Sequence, residues 1–393
     1  MSSTTDKKFS AATLLAQALG RTDPDTRAVV LPMHPATTYL RDPDNQYSTG
    51  RIYSRADNPT YEPVEALLCQ LENGADALVF GSGMAAATAV FQALQPGDHI
   101  IAPKVMYWAL RNWLQQFTAR WQLTLDFVDM RDLQQLEQAI QPRKTRLIWI
   151  ETPDNPLWQV SDIEAIASLA KAHGCLTAVD STCATPLLTQ PLNLGADIVM
   201  HSATKYLNGH SDVIAGALIS KVDSPFWQTI RSIRAQQGAV LSPRDAHELL
   251  RGMRTLHLRV RESCQNALYL ATALQANPLV AEVLYPGLPE HPDHALAQRQ
   301  MQGGFGGMLS VRLKHGAEAA IGVAARTKLW KRATSLGGVE SLIEHRASIE
   351  GEGTPVPADL LRLSAGIETA QELLEDFEQA LELAVQNITK EPQ

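Results

Sequence analysis

Between Leu176 and Gly216 the chain holds two short apolar runs, Leu176 to Val179 and Ala196 to Met200, and each breaks off abruptly into polar residues. Runs of this length bounded by polar residues read as strands. The first delivers Asp180, and the second delivers His201-Ser202-Ala203-Thr204-Lys205. In an open α/β sheet ligands sit beyond the carboxyl ends of the strands, so a carboxylate and an amine delivered at two such ends can face one cavity.

The same punctuation runs through the surrounding chain. Ala77 to Phe80, His99 to Ala102, Leu123 to Val128, Leu147 to Ile150 and Ile214 to Ile219 read as further strands. Val64, Leu67, Leu68 and Leu71, and later Ile163, Ile166, Ala167 and Ala170, recur at helical spacing between them. Strands alternating with helices imply a mostly parallel sheet of about seven strands wrapped by helices.

After the strand at Ala77 comes Gly81-Ser82-Gly83-Met84-Ala85 and a helix rich in small residues. A glycine turn entering a helix bares backbone N–H groups at the positive end of the helix dipole, which suits a phosphate; it also suits a plain tight turn. Lysine, aspartate and a phosphate cradle at strand ends match the needs of pyridoxal phosphate. That cofactor takes a lysine on its aldehyde and a carboxylate beside its ring nitrogen. Lys205 and Asp180 are the candidates, although a lysine after Ser-Ala-Thr can equally be a solvated surface residue. The pattern Ser202-Ala203-Thr204-Lys205 also satisfies the Ser-x-x-Lys of penicillin-binding hydrolases, but the chain has neither Ser-Asp-Asn nor Lys-Thr-Gly to complete that site.

Tyr107 and Asn155 fall in loops after strands, where a ring can stack on a flat cofactor and an amide can donate to it; each also fits packing or a turn. Beyond a long helical stretch from about Ser242 to Leu274, Met308 to Leu313 and Leu360 to Ala365 read as strands, and an amphipathic helix from Ala370 to about Asn387 follows. In Leu361-Arg362-Leu363-Ser364-Ala365 the period of two sets Arg362 opposite the leucines. A guanidinium fixed on a strand suits a bidentate grip on a carboxylate, and it also suits an exposed strand position.

With 393 residues the chain exceeds one typical core, and two domains with an extended arm are expected: 1–60 an arm contacting a neighbouring subunit, 61–255 a cofactor domain, 256–393 a carboxy-terminal domain. A formal charge of −8 without any basic run argues against nucleic acid. The chain has no apolar stretch of membrane-spanning length and no hydrophobic signal core in MSSTTDKKFS, so a cytoplasmic protein with no membrane partner is expected. Cys69, Cys175, Cys183 and Cys264 lack metal-ligand spacing and read as reduced thiols in core packing.

Taken together, YSRADNPT, GSGMAA, ETPDNPL, the Ala178-Val179-Asp180 strand end, HSATKYLNGHSD, LLRGMRTLHLR, YPGL, SLGGVESL and LLRLSAGIE stand in the order they have in the trans-sulfuration family of pyridoxal-phosphate enzymes. The chain resembles that family, with its cystathionine β-lyases, γ-lyases and γ-synthases, from Pro32 to the last helix. The resemblance implies fold type I, like aspartate aminotransferase, with a small α+β carboxy-terminal domain, and a homotetramer built from active dimers. It implies that Lys205 carries the cofactor and that Asp180 faces its ring nitrogen. It places Gly83, Met84, Ser202 and Thr204 at the phosphate, and Tyr53 and Arg55 at the phosphate of the neighbouring subunit. Tyr107 would stack on the ring and serve catalysis with Lys205, Asn155 would lie near the phenolic oxygen, and Ser335 and Arg362 would face a sulfur-containing amino acid.

The departures concern the choice of reaction. Trp108-Ala109-Leu110 follows Tyr107 where the family commonly has Gly-Gly-Thr or Gly-Cys-Thr, Thr334 precedes Ser335, and Ile349-Glu350-Gly351 replaces the usual Met-Thr-His. The expectation is a carbon-sulfur lyase acting on cystathionine or a related thioether amino acid by β- or γ-elimination. The alternative is a γ-replacement synthase acting on an O-acyl homoserine.

Overall fold

The computed structural model describes residues 9–351 and 354–390 and resolves the chain into two sheets. The larger has seven strands: β1 (Asp76–Phe80), β2 (His99–Pro103), β3 (Thr124–Val128), β4 (Thr145–Glu151), β5 (Leu176–Asp180), β6 (Ile198–His201) and β7 (Gly216–Ser220). Their spatial order is β1-β7-β6-β5-β4-β2-β3, with β7 antiparallel to both its neighbours and the other pairs parallel. This is the mostly parallel, helix-covered sheet expected from the alternation of runs.

Strands buried on both faces need apolar residues at every position. In β4 Leu147 and Trp149 pack with the Gly83–Gln92 helix on one side, while Ile148 and Ile150 pack with the Ile163–Ala172 helix on the other. Because the apolar pattern ends where the strand ends, Glu151, Asp180 and His201 mark one edge of the sheet. Strand β7 begins at Gly216 and not at Ile214. A side chain at Gly216 would put its Cβ 2.2 Å from the Ser82 carbonyl oxygen, so this glycine is what lets β7 pass beneath the Ser82 turn. Ile214 is exposed at the site instead.

The smaller sheet has five strands: β8 (Val280–Leu284), β9 (Met308–Leu313), β10 (Lys331–Arg332), β11 (Leu342–His345) and β12 (Leu360–Ser364), ordered β10-β11-β12-β9-β8. Leu361, Leu363 and Ala365 face a core shared with the Leu256–Gln275 and Ala370–Lys390 helices. Burying each such leucine contributes about 1.5–3 kcal/mol, which fixes the register of β12 and so the direction of Arg362. Arg362 is itself buried, which removes the exposed-strand alternative.

The stretch from Ser242 to Leu274 is two helices, Pro243–Met253 and Leu256–Gln275, and not one. Thr255 leaves helical geometry with φ −109° and ψ 6°. The Gly252 carbonyl is taken by Arg259 Nη2 at 2.8 Å, while Arg259 Nη1 donates to the Tyr206 carbonyl at 2.7 Å. The buried guanidinium thus ties this corner to the loop following Lys205. No described helix is long and apolar enough to cross a membrane.

Candidate active site

Beyond the carboxyl ends of β4, β5 and β6 lies a cavity of about 430 Å³. Lys205, Asp180, Tyr107, Asn155, Ser335 and Arg362 all line it, as do Gly83, Met84, Ser202 and Thr204. Residues scattered over nearly 280 positions of sequence are thereby brought to one wall or another of a single space.

Lys205 sits in the turn that follows β6, and its Nζ donates to Ser335 Oγ at 2.8 Å. Burial, and next the Arg362 guanidinium, lower its amine to about 8. Such a lysine is partly neutral near physiological pH and is therefore a nucleophile toward an aldehyde. Ser335 holds φ at +90°, strained for a residue with a side chain. That conformation presents its hydroxyl to Lys205 and its carbonyl to Arg362 Nη2, 2.9 Å away.

Asp180 is buried and accepts from the Thr182 N–H at 3.0 Å and from Thr182 Oγ1 at 2.5 Å. Burial pushes its carboxyl upward, so in this setting it is suited to meeting a cationic or proton-bearing group. Thr182 Oγ1 also accepts from the Ser202 N–H at 2.8 Å, which ties the end of β5 to the turn after β6. Thr182 was not legible as a site residue, because its role depends on two strands meeting.

Glu151, at the end of β4, is a second residue that sequence reasoning missed although it opens the ETPDNPL motif. Its Oε2 accepts from the Tyr107 N–H at 2.8 Å and its Oε1 from the Asn155 N–H at 3.2 Å. It thereby positions both loop residues. Burial, followed by the Asp180 charge, drives its carboxyl well above the usual range. The Tyr107 ring is 39% exposed, open to a ligand in the cavity.

The Gly83–Gln92 helix opens onto the same space. Ser82 caps it, its side chain accepting from the Ala85 N–H at 3.0 Å, and the N–H groups of the first turn have no helical carbonyl to meet. A Cβ on Gly83 would fall 2.6 Å from Ser202 Oγ, so only glycine admits the serine hydroxyl this close to the helix end. Thr204 Oγ1 is braced between the Ala215 N–H and carbonyl at 2.9 and 3.1 Å. A helix N-terminus with hydroxyls beside it could hold a phosphate, and Lys205 and Asp180 across the cavity could hold the aldehyde and ring nitrogen of the same group. The residues present therefore fit pyridoxal phosphate.

Tyr53 and Arg55 are not among the cavity residues of their own chain. Both are exposed, with the Arg55 guanidinium 5.5 Å from the centre of the Tyr53 ring. One reading of the cysteines is corrected: all four are free thiols, but Cys183 lines the cavity and is not plain core packing. Burial pushes its thiol far up, so it is a neutral wall residue.

Comparison with known proteins points to the same cofactor. A family model described as Cys/Met metabolism PLP-dependent enzyme matches residues 12–382. The chain is 45% identical over 376 residues to a cystathionine gamma-synthase of Mycobacterium tuberculosis, covering 94% of this chain and 96% of that protein. It is 38% identical over 390 residues to a cystathionine beta-lyase of Coxiella burnetii, covering 97% and 100%. Among solved structures, a cystathionine gamma-lyase from Lactobacillus plantarum complexed with L-serine superposes with a TM-score of 0.91 at 37% identity, covering 96% and 100%.

Proposed function

The chain belongs to the Cys/Met metabolism PLP-dependent enzyme family, and on that premise we propose that it is a carbon-sulfur lyase of cystathionine or a related sulfur amino acid, releasing a thiol, a 2-oxo acid and ammonia. The observation that carries this reading is the Lys205 amine, lowered to about 8, sharing one cavity with the buried Arg362 guanidinium.

When bound, pyridoxal phosphate supplies a conjugated ring that draws electrons away from the substrate α-carbon. Lys205 would hold its aldehyde between turnovers, and Asp180 would keep a proton on its ring nitrogen. Gly83, Met84, Ser202 and Thr204 would hold its phosphate, with Tyr53 and Arg55 of a neighbouring copy completing the cradle. Tyr107 would lie against the ring and Asn155 near its phenolic oxygen.

Arg362 then fixes the substrate by its α-carboxylate, since its guanidinium is held in place by Asn155 Oδ1 at 3.2 Å and the Ser335 carbonyl. With that end anchored, the neutral Lys205 amine takes the α-proton, and Ser335 Oγ orients it. If the sulfur is on the β-carbon, the thiolate leaves next. If it is on the γ-carbon, a second proton must first leave the β-carbon. Tyr107 would return a proton to the departing sulfur. The other parts of the reading are a homotetramer made of active dimers, a cytoplasmic setting, and the division into an arm at 1–60 and domains at 61–255 and 256–393.

A second reading is γ-replacement on an O-acyl homoserine, favoured by the name of the mycobacterial relative. Product identification after adding L-cystathionine separates the two. Pyruvate marks β-elimination and 2-oxobutanoate marks γ-elimination. Neither product, with cystathionine formed from an O-acyl homoserine and cysteine, gives the second reading. Full turnover by Lys205→Ala contradicts both.

A further inference from the structure

The wall of the cavity carries a second buried guanidinium that the chemistry above does not use. Arg346 follows β11 directly and is 3% exposed. Its Nε donates to Glu350 Oε1 at 2.9 Å and its Nη1 to Glu344 Oε2 at 3.1 Å. Its Nη2 is shut off from solvent and has no partner among the described residues. Buried donors are almost always paired, so an orphan at the wall of a binding cavity calls for an acceptor brought by the ligand.

The surroundings say what kind of acceptor. Glu344 Oε2 already serves Arg362 Nη2 at 2.6 Å, so one carboxylate oxygen is shared by two guanidinium groups. Glu350 is engaged as well, its Oε2 accepting from Thr354 Oγ1 at 2.6 Å. Glu344 Oε1 is likewise buried without a partner among the described residues, but at this end of the cavity the two glutamates only balance the two arginines, and Lys205 adds a further cation when protonated. Such a cavity favours an anion over a cation. Across the strand pair Glu344 stands opposite Arg362, and Arg346 lies two residues beyond Glu344, just past the end of β11. A ligand whose α-carboxylate is on Arg362 can therefore carry a second acceptor to Arg346. Trp108, Leu336 and Ile349 line the same space and would cover the methylene and thioether atoms between the two ends.

We propose that Arg346 is a specificity-determining residue that binds a second carboxylate, carried on the leaving side of the amino-acid substrate. The inference rests on the proposed carbon-sulfur chemistry and narrows its substrates to dicarboxylic amino acids. The carboxylate has two possible sources, the distal amino-acid half of a thioether or a dicarboxylic acyl group on homoserine.

The test uses the holoenzyme and substrate pairs that differ only in that carboxylate. L-cystathionine is compared with S-(2-aminoethyl)-L-homocysteine where the enzyme cleaves at the γ-carbon and with S-(3-aminopropyl)-L-cysteine where it cleaves at the β-carbon, and O-succinyl-L-homoserine with O-butyryl-L-homoserine plus cysteine. A hydrogen bond to a charged group predicts that wild type favours the carboxylate-bearing member of the pair it processes by roughly tenfold or more in kcat/KM. The double variant R346Q/E350Q removes one charge of each sign and brings that ratio close to one, mainly through KM. Both members of a pair are measured on one preparation, so loss of folded protein does not move the ratio. An unchanged ratio in the variant, or a wild-type preference for the member lacking the distal carboxylate, overturns the proposal.

Calorimetric titration of the holoenzyme with L-2-aminoadipate and L-norleucine, which have no sulfur to lose, separates this claim from the reaction assignment. Tighter binding of aminoadipate, weakened in the variant, with no turnover of any pair, refutes the lyase and synthase readings while upholding the site. Equal binding of the two, beside normal turnover, refutes the site alone.

Discussion

Replacing Arg362 by Gln tests why the Lys205 amine is reactive. At pH 7 a lysine at its ordinary value of 10.5 is neutral in about one molecule in 3,000, and one at about 8 in about one in ten. The setting of Lys205 thus raises the reactive fraction roughly 300-fold. Burial is the larger cause and the Arg362 charge the next, so removing that charge leaves most of the effect in place. The reaction of cofactor-free protein with pyridoxal phosphate, followed by absorbance across pH, reads this directly and needs no substrate. Below about 8 the wild-type rate rises about tenfold per pH unit as the amine loses its proton, and above it the rate levels off. In Arg362→Gln the inflection moves up by up to about one unit, so the rate at pH 7 falls by up to about tenfold while the rates near pH 10 converge. An inflection that stays at its wild-type position in the variant refutes the assigned cause. A wild-type inflection near 10.5 refutes the lowered amine altogether.

Gly83→Ala brings a Cβ to within 2.6 Å of Ser202 Oγ and displaces that hydroxyl; the cofactor dissociation constant, measured by absorbance titration, rises by roughly ten- to a hundredfold. If Arg55 serves the neighbouring copy, mixing the inactive variants Arg55→Ala and Lys205→Ala under subunit exchange restores native sites to about one quarter of the total, and activity returns accordingly. No recovery despite exchange contradicts a shared site. The buried pair of His201 Nε2 and Glu72 Oε1, 2.6 Å apart, underlies β6; Glu72→Ala leaves the histidine unpaired and lowers stability by about 3–5 kcal/mol in denaturant unfolding.

How much of this could be read from the chain depends on how local the signal is. The ends of β5 and β6 were legible because burial on both faces demands apolar residues and the site begins where they stop. Arg362 was legible from a period of two, which holds within five residues. The small sheet was less so. Strand β11 reads Leu-Ile-Glu-His and shows no alternation, since Glu344 is paired with Arg362 inside the protein and so occupies a buried position. β10 is two exposed residues held by pairing alone. The break between the Pro243–Met253 and Leu256–Gln275 helices was hidden because Arg259, four residues beyond it, takes the Gly252 carbonyl that a continuous helix would use. Glu151 and Thr182 share this property: each acts through a partner that only the fold brings near, Tyr107 for the first and Ser202 for the second.

The most direct measurement is to purify the protein with pyridoxal phosphate, treat it with borohydride, and locate the modified residue by peptide mass spectrometry. Reduction fixes the cofactor permanently to whichever amine holds its aldehyde. The account predicts one pyridoxyl group per chain, on the peptide containing Lys205. The label on another lysine, or none on a protein that has taken up the cofactor, would contradict it.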